Sequence, residues 1–262
     1  MLKETIQIAI DAGKEIMDIY QHDFDVEYKE DESPLTIADQ RSHEVIQKGL
    51  TDAFPNIPVL SEEGADIPYE NRKDWNQFWL VDPLDGTKEF IKKNGEFTVN
   101  IALVKGQYPT LGVIYAPALD VLYVGEQDKG AFKINDASKV TINTDEDILN
   151  KAQKLPIVQD SSLVKVVASR SHMSKETEDF INELKEKHNE VETVSSGSSL
   201  KFCLVAEGEA NYYPRYAPTM EWDTGAGQAI VEAAGKQVLR YEDQKRFYYN
   251  RENLKNGWFL VK

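Results

Sequence analysis

Four apolar runs follow one another between residues 97 and 135, and they limit the folds open to this chain more than any other feature. The runs are FTVNIALV (97–104), TLGVIYAP (110–117), VLYVGE (121–126) and GAFKIN (130–135). Each has the length of a β-strand, and turn residues separate it from the next, which is the pattern of an antiparallel meander. The N-terminal half is therefore predicted to contain an antiparallel sheet.

The rest of the chain alternates between helical and strand patterns. Helical spacing covers residues 3–20 and about 35–53, and Phe78–Val81 form a short buried strand. Residues 143–160 are polar and irregular, so we place a subdomain boundary there, giving subdomains 1–150 and 151–262. The second half has an α/β pattern, with strands at 164–168, 191–194, 211–213, 237–240 and 258–261 and helices at 174–187, 198–206 and 223–234.

Charge and cysteine content exclude some classes of protein. The 262 residues carry a formal net charge of −15, which disfavours a nucleic-acid-binding surface, although divalent metals would still let an acidic protein bind phosphate. Cys203 is the single cysteine, so an internal disulfide is impossible. No signal peptide is evident, and no apolar stretch reaches the roughly 20 residues of a membrane span. We expect a cytoplasmic protein without an integral membrane segment, and leave a peripheral contact with the inner membrane open.

The segment Asp82-Pro83-Leu84-Asp85-Gly86-Thr87 is the centre of the predicted chemistry. Two carboxylates three residues apart follow the buried strand, and Pro83 and Gly86 allow the backbone to turn both towards one point. Converging carboxylates are ligands for a hard cation such as Mg²⁺. Gly86 and Thr87 at a helix start offer amides to a phosphate. For such a motif alone, a polar turn that caps the next helix would be the commoner explanation.

Three further acidic positions are candidates for the same site, although each has an ordinary explanation. Glu62 follows a short apolar stretch, where adjacent acids are usually surface residues. Asp223 stands where a helix is predicted to begin and would serve as its N-cap. Asp39 lies in the first turn of a helix, where the helix dipole alone stabilises a carboxylate.

Together these segments resemble the inositol monophosphatase superfamily. The resemblance rests on S-E-E-G (61–64), W-L-V-D-P-L-D-G-T-K-E-F (79–90) and W-D-T-G-A-G (222–227). It extends to S-P-L-T-I-A-D (33–39), N-G-E-F-T-V-N-I-A-L (94–103), S-R-S-H (169–172) and S-S-G-S-S-L-K-F-C-L-V-A-E-G (195–208), and thus covers nearly the whole chain. The runs 88–100 and 198–208 favour the branch of 3′(2′),5′-bisphosphate nucleotidases.

The resemblance implies a layered (αβαβα) sugar-phosphatase-like fold of α+β and α/β character. It implies that Glu62, Asp82 and the Leu84 carbonyl hold one Mg²⁺, and that Asp82, Asp85 and Asp223 hold a second. Glu62 would reach a weaker third ion through water, and Li⁺ would inhibit. Thr87, hydrogen-bonded to Asp39, would orient and deprotonate a metal-activated water, and the amides of Gly86 and Thr87 would hold the phosphate.

Residues of the second half are predicted to select the substrate. Ser198 and Lys201 lie three apart at a predicted helix start, a spacing that suits a second phosphate, although a capped helix with a surface lysine explains it equally well. Arg215 follows a strand between aromatic residues and is a further candidate. His172 is the weakest candidate, because a single loop histidine is usually incidental.

The predicted function is hydrolysis of adenosine 3′,5′-bisphosphate, or of its sulfated precursor, by a Mg²⁺-dependent phosphatase. Hydrolysis of inositol or sugar phosphates is the main alternative, and a non-catalytic nucleotide sensor is a more distant one. The predicted partner is a small-molecule nucleotide rather than a nucleic acid. The sequence does not define the oligomeric state.

Overall fold

The predicted meander forms the middle of a seven-stranded sheet. A computed structural model describes residues 1–22, 26–28, 34–64, 67–157, 163–168 and 173–262. The sheet contains β3 (Val59–Ser61), β4 (Gln77–Asp85), β5 (Thr98–Lys105), β6 (Tyr108–Ala116), β7 (Val121–Glu126), β8 (Gly130–Asn135) and β9 (Gln153–Lys154), in that order. β3 pairs parallel with β4, and every other pairing is antiparallel. The predicted meander is confirmed.

The remaining elements flank this sheet or form smaller sheets. The helices are α1 (Leu2–Tyr20), α2 (Ile37–Ala53), α3 (Tyr69–Arg72), α4 (Thr87–Ile91), α5 (Asp145–Lys151), α6 (Lys175–Lys187), α7 (Leu200–Glu207) and α8 (Glu221–Ala233). The other strands are β1 (Val26–Tyr28), β2 (Pro34–Thr36), β10 (Val164–Val167), β11 (Val191–Val194), β12 (Tyr213–Arg215), β13 (Val238–Arg240) and β14 (Phe259–Val261). None of the described helices is both long enough and apolar enough to cross a membrane.

Alternate side chains of β4 enter the two cores on opposite faces of the sheet. Trp79 and Val81 pack in the core formed with α1 and α2. Phe78 and Leu80 pack in the core formed with α7 and α8. Both faces of the strand are thus apolar, which explains why the sequence reads as a continuous apolar run rather than an alternating one.

Beyond α7 and α8 lies a second β layer. β14 pairs antiparallel with β12 and β13, and β10 pairs parallel with β11. An isolated bridge from Val166 to Tyr212 links the two groups of strands, and α6 packs outside them through Ile181 and Leu184. The order of layers is helix, sheet, helix, sheet, helix, so the predicted αβαβα arrangement is confirmed. The division into subdomains near residue 150 stays a prediction.

The segment 143–160 and the start of the second helix differ from the sequence prediction. The segment 143–160, expected to be irregular, contains α5 and β9. Thr144 accepts a hydrogen bond from the Asp147 amide, and Asp147 accepts one in return from the Thr144 amide. This capping box starts α5 despite its polar composition. The second helix begins at Ile37 rather than at 35, because Thr36 caps it by accepting from the Ala38 amide.

Helix α8 lies unusually close to the large sheet because glycines face it. A Cβ added to Gly112 would lie 2.4 Å from the Ala226 carbonyl oxygen, and one added to Gly125 would lie 2.5 Å from the Ile230 Cα. Both neighbours are backbone atoms, which cannot rotate away. These two glycines therefore set the distance between the sheet and the helix that carries Asp223.

We expect Gly112→Ala to lower the free energy of unfolding by about 1–3 kcal/mol, because the added methyl overpacks the contact with α8. Denaturant unfolding at constant m-value measures this change. Gly257→Ala is the matched control, since a Cβ there meets no atom closer than 4.0 Å and the residue is exposed. Equal stability of the two variants would show that the close approach of α8 does not depend on Gly112.

Candidate active site

The two carboxylates of the central motif lie within the last four residues of β4, not after the strand as predicted. In the pairing with β5, Asp82 lies opposite Asn100 and Asp85 lies opposite Thr98. Three steps along β4 therefore match two along β5, which is the signature of a bulge. Residues three apart on a regular strand point to opposite faces. The bulge allows both Asp82 and Asp85 to border one cavity.

This first cavity, of about 430 Å³, brings together every residue predicted to bind metal. Glu62 enters from a short 3₁₀ helix directly after β3, and Asp223 enters from the first turn of α8. β3 and β4 are parallel neighbours, so their ends meet at the same edge of the sheet. The residues concerned are Glu62, Asp82, Leu84, Asp85 and Asp223.

The electrostatics of this cavity are those of crowded negative charge. Asp82 is 1% exposed, and burial raises its pKa well above the usual value. The charges of Glu62, Asp85 and Asp223 raise it further. Desolvation and Asp85 likewise raise the pKa of Asp223, although its side chain is partly exposed to the cavity. A divalent cation would remove these penalties, because it compensates the charges that oppose one another.

Asp223 is the third residue of α8 rather than its N-cap, which corrects the sequence prediction. Its Oδ2 accepts a hydrogen bond of 2.8 Å from the Met220 amide. The same turn is anchored by Glu221, which is fully buried and accepts from the Asn250 amide and from the amide and Nε of Arg251. The start of α8 is therefore held in place around Asp223.

Thr87 and Asp39 form the pair that the resemblance implied. Thr87 Oγ1 lies 3.3 Å from Asp39 Oδ1 and 3.4 Å from the Leu84 carbonyl oxygen. Asp39 is 3% exposed, and its Oδ2 accepts from the amide and hydroxyl of Thr36. Those two bonds fix the carboxylate, so that Oδ1 faces Thr87.

Gly86 makes the turn from β4 into α4 possible. Its φ of 91° lies in the left-handed region, where a side chain would be strained. A Cβ at this position would also lie 3.1 Å from the Ser198 Cβ and 3.3 Å from the Glu96 carbonyl oxygen. The turn therefore fixes Thr87 at the first position of α4 and brings the segment around Ser198 against it. Phosphate binding by the Gly86 and Thr87 amides stays a prediction.

A second cavity of about 500 Å³ adjoins the first and contains the predicted substrate residues Ser198, Lys201 and Arg215. Asp85 and Asp223 border both cavities, so the two form one cleft. Ser198 does not start a helix, which corrects the prediction: α7 begins at Leu200, and Ser198 lies before it with a φ of 52°.

The second cavity is the basic part of the cleft. The pKa of Lys201 is lowered, mainly by burial. The charge of Asp85 opposes this change, and the charge of Arg215 adds to it. Lys201 Nζ donates to the Ser198 carbonyl oxygen at 2.9 Å, and Arg215 Nη2 donates to the Pro218 carbonyl oxygen at 3.1 Å. Arg215 Nε is buried and has no hydrogen-bond partner among the described residues. His172, the remaining candidate, lies outside those residues.

Two polar residues on β5 form hydrogen bonds with residues that line the site, although the sequence did not predict them to belong to it. Thr98 and Asn100 are fully buried and contact Ser198, Ser199 and Asp85. Their signal in the sequence was two polar residues two apart in an otherwise apolar strand, which places both on one face. Lys88, Glu89 and Thr219 line both cavities, and no pattern in the sequence distinguished them from surface residues.

The donor set fits a hard divalent cation, since carboxylate and carbonyl oxygens are the ligands that Mg²⁺ prefers. No group of three or more His, Cys, Asp or Glu side chains within the described ranges is already gathered closely enough to hold an ion.

Comparison with known proteins identifies the family. The family model described as the inositol monophosphatase family matches residues 1–257. The chain is 46% identical to the 3′(2′),5′-bisphosphate nucleotidase CysQ of Salmonella typhimurium, over 100% of this chain and 99% of that protein.

Solved structures agree with this result. The crystal structure of CysQ from Bacteroides thetaiotaomicron, a bacterial member of the inositol monophosphatase family, has a TM-score of 0.91 and 47% identity. The match covers 100% of the chain described here and 96% of the CysQ chain. An IMPase from Thermotoga maritima shares the fold alone, with a TM-score of 0.76 and 22% identity over 99% of this chain and 91% of that one. The chain described here belongs to the inositol monophosphatase family.

Proposed function

We propose that this protein is a Mg²⁺-dependent 3′(2′),5′-bisphosphate nucleotidase that hydrolyses adenosine 3′,5′-bisphosphate to AMP and phosphate. The observation that carries the proposal is the division of one cleft into an acidic and a basic part. The acidic part, with Asp82 and Asp223, suits a cation and the phosphate to be cleaved. The basic part, with Lys201 and Arg215, suits a second phosphate that is kept. The similarity of this chain to proteins named as CysQ nucleotidases supports the same substrate class.

The acidic residues would hold two Mg²⁺ ions. Glu62, Asp82 and the Leu84 carbonyl would bind one, and Asp82, Asp85 and Asp223 would bind the other. Bound magnesium would polarise the phosphoryl oxygens and lower the pKa of water. A third, weaker ion near Glu62 and inhibition by Li⁺ belong to the same proposal.

Thr87 and Asp39 would prepare the attacking water. The Thr87 hydroxyl lies 3.3 Å from Asp39 Oδ1 and would donate to it, so the Thr87 oxygen would retain lone pairs that can accept a hydrogen bond from water. The water oxygen forms a bond to phosphorus, and the bond between phosphorus and the 3′-ester oxygen breaks. This oxygen leaves with the bonding electron pair and takes a proton from solvent to become the 3′-hydroxyl of AMP. The water proton passes through Thr87 to Asp39, whose Oδ1 accepts it while Thr36 holds Oδ2.

Recognition of the kept phosphate distinguishes this activity from that of an inositol phosphatase. An inositol monophosphate carries no second phosphate for Lys201 and Arg215. Binding energy at a remote phosphate raises the rate when it holds the reacting group in place. The basic cavity therefore favours a nucleotide bisphosphate as substrate.

Thr87→Val tests the water-preparing pair. We expect kcat to fall about 100- to 10,000-fold, which is the usual contribution of general acid–base catalysis. The affinity for Mg²⁺, measured by calorimetry, should remain, because the Thr87 side chain is not among the proposed ligands. Thr87→Ser, which keeps the hydroxyl, is the matched control and should retain most of the activity. Equal kcat in the Val and Ser variants would exclude the role of the hydroxyl.

The substrate class is tested by kcat/KM with Mg²⁺ for three compounds: adenosine 3′,5′-bisphosphate, adenosine 3′-monophosphate and inositol 1-phosphate. We expect the bisphosphate to be the best substrate. Lys201→Met should lower kcat/KM for the bisphosphate about 10- to 100-fold, which corresponds to one charged hydrogen bond. The 3′-monophosphate should be little affected, because it lacks the 5′-phosphate.

Lys92→Met is the matched control for that variant, since Lys92 lines the same cavity but is exposed to solvent. An exposed charge contributes little to binding, so its loss should be much smaller. Preference of the wild-type enzyme for inositol 1-phosphate would overturn the proposed function. Equal losses for the bisphosphate and the 3′-monophosphate in Lys201→Met would overturn the role of Lys201.

A further inference from the structure

Ser198 joins the two cavities through a hydrogen bond to a proposed metal ligand. Its Oγ donates to Asp85 Oδ2 at 2.8 Å. Asn100 Nδ2 approaches the same carboxylate oxygen at 3.4 Å. Oδ2 of Asp85 thus accepts from residues that line or underlie the second cavity, although Asp85 also borders the first.

The surrounding hydrogen bonds fix which groups donate. Ser199 Oγ donates to Asn100 Oδ1 at 2.7 Å, and Thr98 Oγ1 lies 3.0 Å from the same oxygen. Because Oδ1 of Asn100 accepts from hydroxyls, its amide nitrogen must face Asp85. Thr98, Asn100 and Ser199 are each at most 2% exposed, so water does not replace these contacts.

Ser198 has a single hydroxyl proton and several neighbours. Its oxygen accepts from the Ser199 amide at 2.6 Å and lies 2.6 Å from Thr98 Oγ1. A carboxylate is a stronger acceptor than a neutral hydroxyl, so the proton is directed to Asp85. Ser198 also lines the cavity with Lys201 and Arg215, where a phosphate oxygen would compete for that proton.

We propose that Ser198 couples the two parts of the cleft by donating to Asp85 in the absence of a nucleotide and to the kept phosphate when a nucleotide binds. The switch removes the shorter of the two hydrogen bonds to Oδ2 of Asp85 and makes this oxygen a better ligand for the cation. Phosphate in the second cavity therefore strengthens metal binding in the first. By linkage, the cation strengthens nucleotide binding by the same factor. This inference rests on the proposed function, because it assigns the second cavity to the kept phosphate.

A purely structural role for Ser198 makes a different prediction. If the bond to Asp85 only supported the carboxylate, its removal would weaken Mg²⁺ binding equally with and without nucleotide. If Ser198 competes with the cation for Asp85, its removal strengthens Mg²⁺ binding in the absence of nucleotide. It also reduces the effect that nucleotide has on the metal.

The experiment is calorimetric titration of Mg²⁺ into the full-length protein, without and with saturating AMP, which carries the 5′-phosphate but no 3′-phosphate. In the wild type we expect AMP to tighten Mg²⁺ binding about fivefold or more, the lower end of ordinary coupling between sites. Without AMP, Mg²⁺ should bind more tightly to Ser198→Ala than to the wild type. The factor by which AMP increases the Mg²⁺ affinity should approach one in this variant. Ser198→Gly, which suits the positive φ, should behave in the same way.

Thr219→Val is the matched control. Thr219 lines both cavities, but its hydroxyl accepts a hydrogen bond from Asn256, and within the described part of the chain it makes none with Asp85. In Thr219→Val, AMP should increase the Mg²⁺ affinity by the same factor as in the wild type. The coupling would be overturned if both Ser198 variants also kept this factor and bound Mg²⁺ more weakly than the wild type. That outcome would leave the proposed nucleotidase activity intact. Failure of the wild type to bind AMP or to hydrolyse the bisphosphate would overturn both proposals.

Discussion

The repulsion among carboxylates at the end of β4 is the constraint on which the rest of the site depends. Asp82 is buried with Glu62, Asp85 and Asp223 acting on it, and its pKa is raised well above the usual value. A rigid scaffold maintains such an arrangement, and a bound cation would compensate the charge that otherwise favours protonation of Asp82. The sheet and α8 supply that rigidity through the backbone contact at Gly112 and through the buried Glu221.

The distribution of charge along the cleft explains how it can bind two phosphates. Asp85 and Asp223 border both cavities, while Lys201 and Arg215 supply positive charge only to the second. A substrate with two phosphates therefore meets a metal-binding part and a cationic part in fixed relation. The Ser198 hydroxyl connects them, because it is within reach of Asp85 and lines the second cavity.

Much of the fold could be predicted from the sequence, since strand length, helical spacing and turn residues are local signals. The motif from Asp82 to Thr87 was visible for the same reason. Asp223 lies far along the chain, and only the family resemblance joined it to that motif. The network of Thr98, Asn100 and Ser199 arises from contacts about 100 residues apart, which no local pattern encodes. The left-handed conformation of Ser198 was likewise hidden, because serine carries no preference for it.

The most direct test of the central claim is thermal unfolding of the wild type and of Asp82→Asn, each without and with saturating Mg²⁺. A ligand at about 100 times its dissociation constant stabilises a folded protein by about 2.7 kcal/mol. We expect Mg²⁺ to raise the Tm of the wild type by several degrees and to leave that of Asp82→Asn nearly unchanged. Without Mg²⁺ the variant should melt no lower than the wild type, because it lacks a buried and repelled charge. A wild-type Tm that does not respond to Mg²⁺, or an equal response in both proteins, would contradict a cation held by Asp82.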